Sequence, residues 1–89
     1  MNKPSAIYTF PEPYQGFIRV DSILSAIAYQ AIPEAGIKDR MIIRYGFPHD
    51  KILDMKIECD DFETASLRAN SVRRMVEDFF SEPPKTGAL

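Results

Sequence analysis

Residues 40–59, RMIIRYGFPHDKILDMKIEC, decide the fold because apolar and polar side chains alternate on both sides of a turn. The runs 40–45 and 51–59 each alternate with a period of two residues, which is typical of β-strands with one buried face. The intervening Gly-Phe-Pro-His-Asp has turn chemistry. The stretch therefore predicts a β-hairpin, and its inward side chains are Met41, Ile43, Tyr45, Leu53, Met55, Ile57 and Cys59.

The other face of this hairpin has a mixed character. Arg40 and Arg44 share it with Lys56, and Ile42 lies between them in the alternation. Such a half-apolar sheet face, or a free strand edge, is a surface at which proteins associate. The basic side chains on it predict a local basic stripe.

The segment after the hairpin, ECDDFETASLRANSVRRMVEDFF at 58–80, has the pattern of an amphipathic helix. Asp60 and Glu63 have the spacing of a capping box at its start. Ser-Glu-Pro-Pro after residue 80 ends it. The apolar stripe of this helix consists of Ala65, Ala69, Val72, Val76 and Phe79, with Met75 beside them.

The residues before the hairpin predict a strand and a first helix. YQGFIRV at 14–20 has the composition of a strand, and Asp21 or Ser22 supplies an N-cap oxygen. SILSAIAYQAI at 22–32 then has apolar residues at helical spacing up to Pro33. The three prolines within residues 1–13 predict an extension that can add an edge strand.

The order β-α-β-β-α predicts a two-layer α+β domain over residues 14–81, with a frayed tail at 82–89. We expect a three-stranded antiparallel sheet with both helices on one face. The 89 residues suit one domain, of a size that often gains stability by association. Apolar residues make up 45% and charged residues 27%, which is ordinary globular composition.

Charge and cysteine content restrict the function. The net charge of −2 gives no general attraction for nucleic acid, and a single cysteine excludes an internal disulfide. The sequence contains neither a signal-peptide pattern nor a long apolar run, so we expect a cytoplasmic protein.

The sequence predicts a protein that is not an enzyme and that needs no cofactor or metal. His49 is the only histidine and falls in the turn, and Cys59 ends a strand on its inward face. The acidic residues Asp60, Asp61 and Glu63 could be a metal cluster, but helix capping explains them more simply. No Walker-type loop, GxGxxG or HExxH motif is present.

The second predicted helix holds the least ordinary residues. Asn70 and Ser71 are mediocre helix formers, so a partner helix that packs on them is one explanation. The other explanation is a solvated face in which Arg73 pairs with Glu77 and Arg74 pairs with Asp78.

The order β-α-β-β-α with these residues resembles the small dimerisation subunit of the KEOPS complex. In that family strand three leads into Glu-Ala-x-Asp and then Asn-Ser-x-x-Arg, and the counterparts here are Glu58-Cys-Asp-Asp61 and Asn70-Ser-Val-Arg-Arg74. Ile27-Ala-Tyr-Gln-Ala-Ile-Pro-Glu34 stands in the place of the family's Ala-rich first helix. The family's Ala-Leu-Arg before Asn-Ser is replaced by Thr64-Ala-Ser66.

The resemblance implies a non-catalytic dimeric accessory subunit, of the kind that archaea and eukaryotes carry. Such a subunit binds the catalytic threonylcarbamoyl-transferase and helps hold tRNA during threonylcarbamoyladenosine modification. The implied partner-binding residues are Asn70, Ser71, Ala65, Ala69 and Arg74. The candidates for RNA phosphate contact, chosen by charge, are Arg40, Arg44, Lys56, Arg68 and Arg73.

Two alternatives stay open. One is a stand-alone homodimerisation or ligand-sensing domain with no RNA role. The other is a small enzyme whose site forms across a dimer interface with His49 near acidic residues of a second chain. The sequence does not decide between a homodimer and a heterodimer, or between an orthologue and a paralogue of the subunit.

Overall fold

The computed structural model describes residues 6–47 and 51–81. Two short strands come first, and three longer strands and one helix follow. The elements are β1 (Ile7–Thr9), β2 (Phe17–Arg19), β3 (Ile23–Tyr29), β4 (Arg40–Tyr45), β5 (Leu53–Glu58) and α1 (Phe62–Phe80), with single 3-10 turns at Val20–Ser22 and Pro33–Ala35. The described part of the chain is therefore α+β, as predicted.

The central sheet is antiparallel and three-stranded, in the order β3-β4-β5. The predicted hairpin of β4 and β5 is confirmed, with Met41 opposite Ile57 and Ile43 opposite Met55. Met41, Ile43 and Ile57 are fully buried and form the centre of the core. The inward alternation that the sequence predicted thus provides the main apolar layer.

The predicted first helix is wrong, because Ile23–Tyr29 is strand β3. The register shifts between Ile23, which faces Tyr45, and Ser25, which faces Arg44. This bulge inserts Leu24 as an extra residue, so Ile23 and Ala26 lie on the same buried face three positions apart. A spacing of three is also the spacing of a helical face, which explains why the sequence pattern indicated a helix.

The first strand is also placed differently from the prediction. β2 pairs with β1 in a separate two-stranded antiparallel sheet and is not part of the β3-β4-β5 sheet. The aromatic side chains of Tyr8, Phe10 and Tyr14 pack against the core cluster beside Ile18. The N-terminal hairpin therefore covers core surface that a second helix was expected to cover. Residues 1–5 and the predicted tail at 82–89 lie outside the described residues.

Helix α1 is confirmed over nearly the predicted range, but its cap differs. Asp61 is the N-cap residue, and its Oδ1 accepts a hydrogen bond from the backbone N–H of Thr64 at 2.7 Å. The capping box predicted from Asp60 and Glu63 is therefore wrong by one residue. The cap places Ala65, Ala69 and Val72 against the sheet, where all three are fully buried.

Within residues 6–47 and 51–81, no helix combines the length and apolar character needed to cross a membrane.

Candidate functional site

The side of the central sheet opposite α1 is the candidate site, and we call it the open face. The buried side chains of β4 and β5 point toward the helix, so the alternating residues point the other way. The register arranges the open face in three cross-strand rows. These rows are Tyr29–Arg40–Glu58, Ile27–Ile42–Lys56 and Ser25–Arg44–Asp54.

Apolar side chains run along the β3 side of the open face. Ile27 and Tyr29 are 44% and 40% exposed, and Ile42 beside them is half-buried. We call these three residues the apolar strip. Single exposed apolar residues are ordinary on a protein surface, whereas several neighbours on one sheet face indicate a contact surface.

Arg44 and Asp54 form an ion pair across β4 and β5. Arg44 Nε donates to Asp54 Oδ1 at 3.0 Å, and Nη2 donates to Oδ2 at 3.4 Å. The hydrogen bond from Arg44 lowers the pKa of Asp54, and the same bond raises the pKa of Arg44. Both side chains are about half exposed, so solvent and salt screen the pair. Its main consequence is that the charge of Arg44 is locally neutralised.

Arg40 is held in place by the chain itself. Its Nη1 donates to the carbonyl oxygens of Gln30 at 3.0 Å and Lys38 at 3.3 Å. The guanidinium carbon lies 5.2 Å from the centre of the Tyr29 ring, within cation–π range. Lys56, in contrast, makes no hydrogen bond or ion pair with another described residue.

The sharing of one face by Arg40, Arg44 and Lys56, which the sequence predicted, is confirmed by the register. The same register adds Asp54 and Glu58, so three cations and two carboxylates leave a net charge of +1. A strongly basic stripe is therefore not formed. The alternation that turns Lys56 outward also turns Asp54 and Glu58 outward, and the pairing with β4 puts them beside Arg44 and Arg40.

The helix candidates divide into buried and exposed residues. Ala65 and Ala69 are fully buried under the chain's own sheet, so their small size serves packing within the subunit. Their assignment to partner contact is corrected accordingly. Asn70, Ser71 and Arg74 are exposed on the other side of the helix.

Asn70 has a partner within the helix. Its side-chain oxygen accepts a hydrogen bond from Arg73, one turn later. The predicted pairs of Arg73 with Glu77 and of Arg74 with Asp78 do not form within 4.0 Å, although all four residues are described. The bond to Arg73 accounts for Asn70 without an external partner.

The remaining RNA-contact candidates, Arg68 and Arg73, lie on α1, in the layer on the other side of the sheet from Lys56. Arg68 lies close enough to Tyr8 and Cys59 for its charge to influence both. The five candidates are thus divided between two sides of the molecule. A single RNA surface does not include all of them.

The groups with potential for catalysis are isolated in the described part of the chain. Cys59 is buried as predicted, and burial raises the pKa of its thiol, which opposes thiolate formation. No cluster of metal-ligating side chains occurs among residues 6–47 and 51–81. His49 lies outside the described residues. The absence of enzyme activity stays a prediction.

The sequence reasoning missed Leu24, Ile27 and Tyr29 as surface residues because it placed them in a helix. The β-branched and aromatic residues among ILSAIAY at 23–29 were the available signal for a strand.

No protein-family model, curated protein or solved structure matches this chain. The resemblance to the KEOPS subunit accordingly stays a prediction, and one element on which it was based, the first helix, is a strand.

Proposed function

We propose that this chain is a non-catalytic association module that forms a homodimer through the open face. The observation that supports this proposal most directly is the apolar strip of Ile27, Tyr29 and Ile42, on a sheet face opposite the packed core. Burial of apolar surface is the main favourable term in protein association. The chain is also small enough to gain stability from a partner.

The charge pattern favours a second copy over a strongly charged partner. The open face has a net charge of +1, and the Arg44–Asp54 pair is neutral within the subunit. Two copies of a nearly neutral face repel one another little. Nucleic acid would gain little from a surface whose cations are balanced by carboxylates, because its binding depends on phosphate neutralisation.

The size of the open face predicts a weak dimer. At roughly 3.3 Å per residue and 4.8 Å between strands, three strands of about six residues present a footprint of roughly 20 Å by 14 Å. A stable interface buries roughly 800 Å² of accessible surface per partner, which is more than this footprint provides. We therefore expect a dimer that dissociates on dilution.

The test is sedimentation velocity over a concentration series with two matched variants. Ile27→Lys places a charge in the apolar strip, whereas Leu67→Lys changes an equally large, 61% exposed residue on α1. We expect the wild type and Leu67→Lys to dimerise with the same affinity, and Ile27→Lys to remain monomeric. Circular dichroism establishes that both variants are folded.

Two results would contradict the proposal. One is a wild type that stays monomeric up to millimolar concentration. The other is a dimer that Leu67→Lys disrupts and Ile27→Lys leaves intact, because the interface would then lie on α1.

A second proposal is the accessory role in a tRNA-modifying complex that the resemblance implies. The observation that favours it is the placement of Arg40, Arg44 and Lys56 on one face. It predicts that a KEOPS catalytic subunit shifts the protein to a larger complex in light scattering. It also predicts tRNA binding that weakens steeply with salt and with Lys56→Glu. A dimer that ignores both the catalytic subunit and tRNA would leave only the first proposal.

A further inference from the structure

A cleft separates the N-terminal hairpin from helix α1, on the side of the molecule away from the open face. Its volume is about 350 Å³, and the helix contributes Leu67, Arg68 and Ser71 to its wall. Tyr8 and Pro11 form the opposite wall. We call this space the Arg68 cleft.

Arg68 lacks a counter-charge among the residues that the structure describes. The side chain is half-buried, yet no carboxylate lies within 4.0 Å of it among the described residues, and it makes no hydrogen bond to them. A guanidinium group has five N–H donors and no acceptor, so only an acceptor can satisfy it. A partly desolvated cation without a partner is unfavourable. The same position is favourable for a bound anion.

Four hydroxyl-bearing residues line the same cleft as Arg68, namely Tyr8, Thr9, Thr64 and Ser71. Neither the Tyr8 hydroxyl nor the Ser71 hydroxyl has a hydrogen-bond partner among the described residues. Ser71 lies three residues after Arg68, which puts both side chains on the same side of the helix. The cleft therefore brings a cation together with hydroxyl donors.

The electrostatics of Tyr8 agree with a positive potential in the cleft. Burial raises the pKa of Tyr8, and the charge of Arg68 opposes that rise. Arg68 acts in the same direction on the thiol of Cys59, while Asp60 and Asp61 act against it there. The influence of Arg68 thus extends to the hairpin side of the cleft.

We propose that the Arg68 cleft binds a small oxyanion, a phosphate or carboxylate group, carried on an apolar body. The guanidinium of Arg68 would donate charge-assisted hydrogen bonds to the oxyanion, and the hydroxyls of Tyr8 and Ser71 would complete the site. The apolar side chains of Pro11 and Leu67 beside them would contact the rest of the ligand. This site is independent of the proposed dimer, which uses the opposite side of the sheet.

The experiment is an NMR titration of the labelled full chain with phenyl phosphate, inorganic phosphate, benzoate and phenol. We expect saturable shifts of the backbone amides of Tyr8, Arg68 and Ser71 with the aromatic anions and weaker binding of inorganic phosphate. Neutral phenol should bind at least tenfold more weakly than phenyl phosphate. A stronger response to phenyl phosphate or to benzoate distinguishes the two oxyanion classes.

Two variants give the control. Arg68→Gln removes the charge from the cleft, and Arg74→Gln removes an exposed charge elsewhere on the same helix. We expect Arg68→Gln to reduce affinity at least tenfold and Arg74→Gln to leave it unchanged. Phenyl phosphate should also raise the unfolding temperature of the wild type and of Arg74→Gln, but not that of Arg68→Gln.

The proposal would be overturned by shifts that never saturate, by equal binding of phenol and phenyl phosphate, or by equal losses in both variants. Sedimentation of the same samples shows whether dimerisation has changed. If Arg68→Gln loses anion binding but still dimerises, the two proposals are tested separately, because the cleft and the open face then act independently.

Discussion

The hydroxyl oxygen of Tyr14 accepts a hydrogen bond from the backbone N–H of Glu58 at 2.8 Å, although 44 residues separate the two. Glu58 belongs to β5, an edge strand of the central sheet. Successive backbone N–H groups of a strand point to opposite sides, and the next one, that of Cys59, donates to the carbonyl oxygen of Asp39 on the β4 side. The N–H of Glu58 therefore points away from β4. Tyr14 therefore joins the N-terminal segment to the sheet and covers one exposed donor at its edge.

Tyr14→Phe should lower the free energy of unfolding by about 1 kcal/mol, the ordinary net value of one hydrogen bond. Urea denaturation at neutral pH measures the change. Tyr29→Phe is the matched control, because Tyr29 is exposed on the open face and its hydroxyl has no hydrogen-bond partner among the described residues. Equal effects of the two changes would show that the link to Glu58 contributes nothing.

Asp61→Ala should destabilise the protein more than Asp60→Ala. The Asp61 side chain caps α1 through the backbone N–H of Thr64, whereas Asp60 lies outside the helix. Loss of a cap lowers the thermal midpoint of a small domain by roughly 5 °C. Differential scanning calorimetry of both variants measures the difference. A larger loss of thermal midpoint in Asp60→Ala would indicate that Asp60 is the cap residue, as the sequence spacing predicted.

The cap also has a pH dependence. The hydrogen bond from Thr64 N–H lowers the pKa of Asp61 in the folded chain. The contribution of Asp61 to stability is therefore present above its unfolded pKa and is lost as the pH falls through the lower, folded pKa. In Asp61→Asn the pH dependence of the thermal midpoint below pH 4 should be shallower than in the wild type. An unchanged slope would contradict this assignment.

Ala69→Leu should cost about 1–3 kcal/mol of stability, because Ala69 is fully buried between α1 and the sheet and a larger side chain overpacks that space. The adjacent change Asn70→Leu is the control, since Asn70 is exposed. Chemical denaturation of both variants at a concentration where the chain is monomeric gives the comparison. Tolerance of Ala69→Leu in the monomer would show that α1 and the sheet leave room for a larger side chain, which contradicts the tight packing described here.

Arg44→Gln should raise the pKa of Asp54 toward its ordinary value of 3.8, because the hydrogen bond from Arg44 is what lowers it. The ion pair contributes to the stability of the folded chain at pH values above the ordinary pKa of Asp54. This contribution is lost as the pH falls through the lower pKa of the folded chain. An NMR titration of the Asp54 side-chain carboxyl carbon measures both values. Identical titration curves in the two proteins would show that the pair does not form in solution.

The hairpin and the last helix could be predicted because their signals are local. Alternation with a period of two residues over 40–45 and 51–59 permits only one inward face, and Met41, Ile43 and Ile57 are on it. The helix at Phe62–Phe80 follows from an acidic start, a stripe of apolar residues and a terminating Pro-Pro.

Strand β3 could not be predicted in the same way, because its bulge at Leu24 interrupts the alternation. Ile23 and Ala26 then follow helical spacing although the backbone is extended. Pairing with β4 decides between the two conformations, and that pairing joins residues far apart in sequence.

The sequence by itself determined the elements in which each side chain's environment depends on its near neighbours: the β4–β5 hairpin, the helix and the apolar layer between them. Only the tertiary structure decided what depends on distant contacts: the strand at Ile23–Tyr29, the open face with its balanced charges, and the cleft in which Arg68 has no counter-charge from residues 6–47 and 51–81. A local pattern fixes which side of an element is apolar. Which element covers that side is fixed by contacts that become favourable only when the chain has folded.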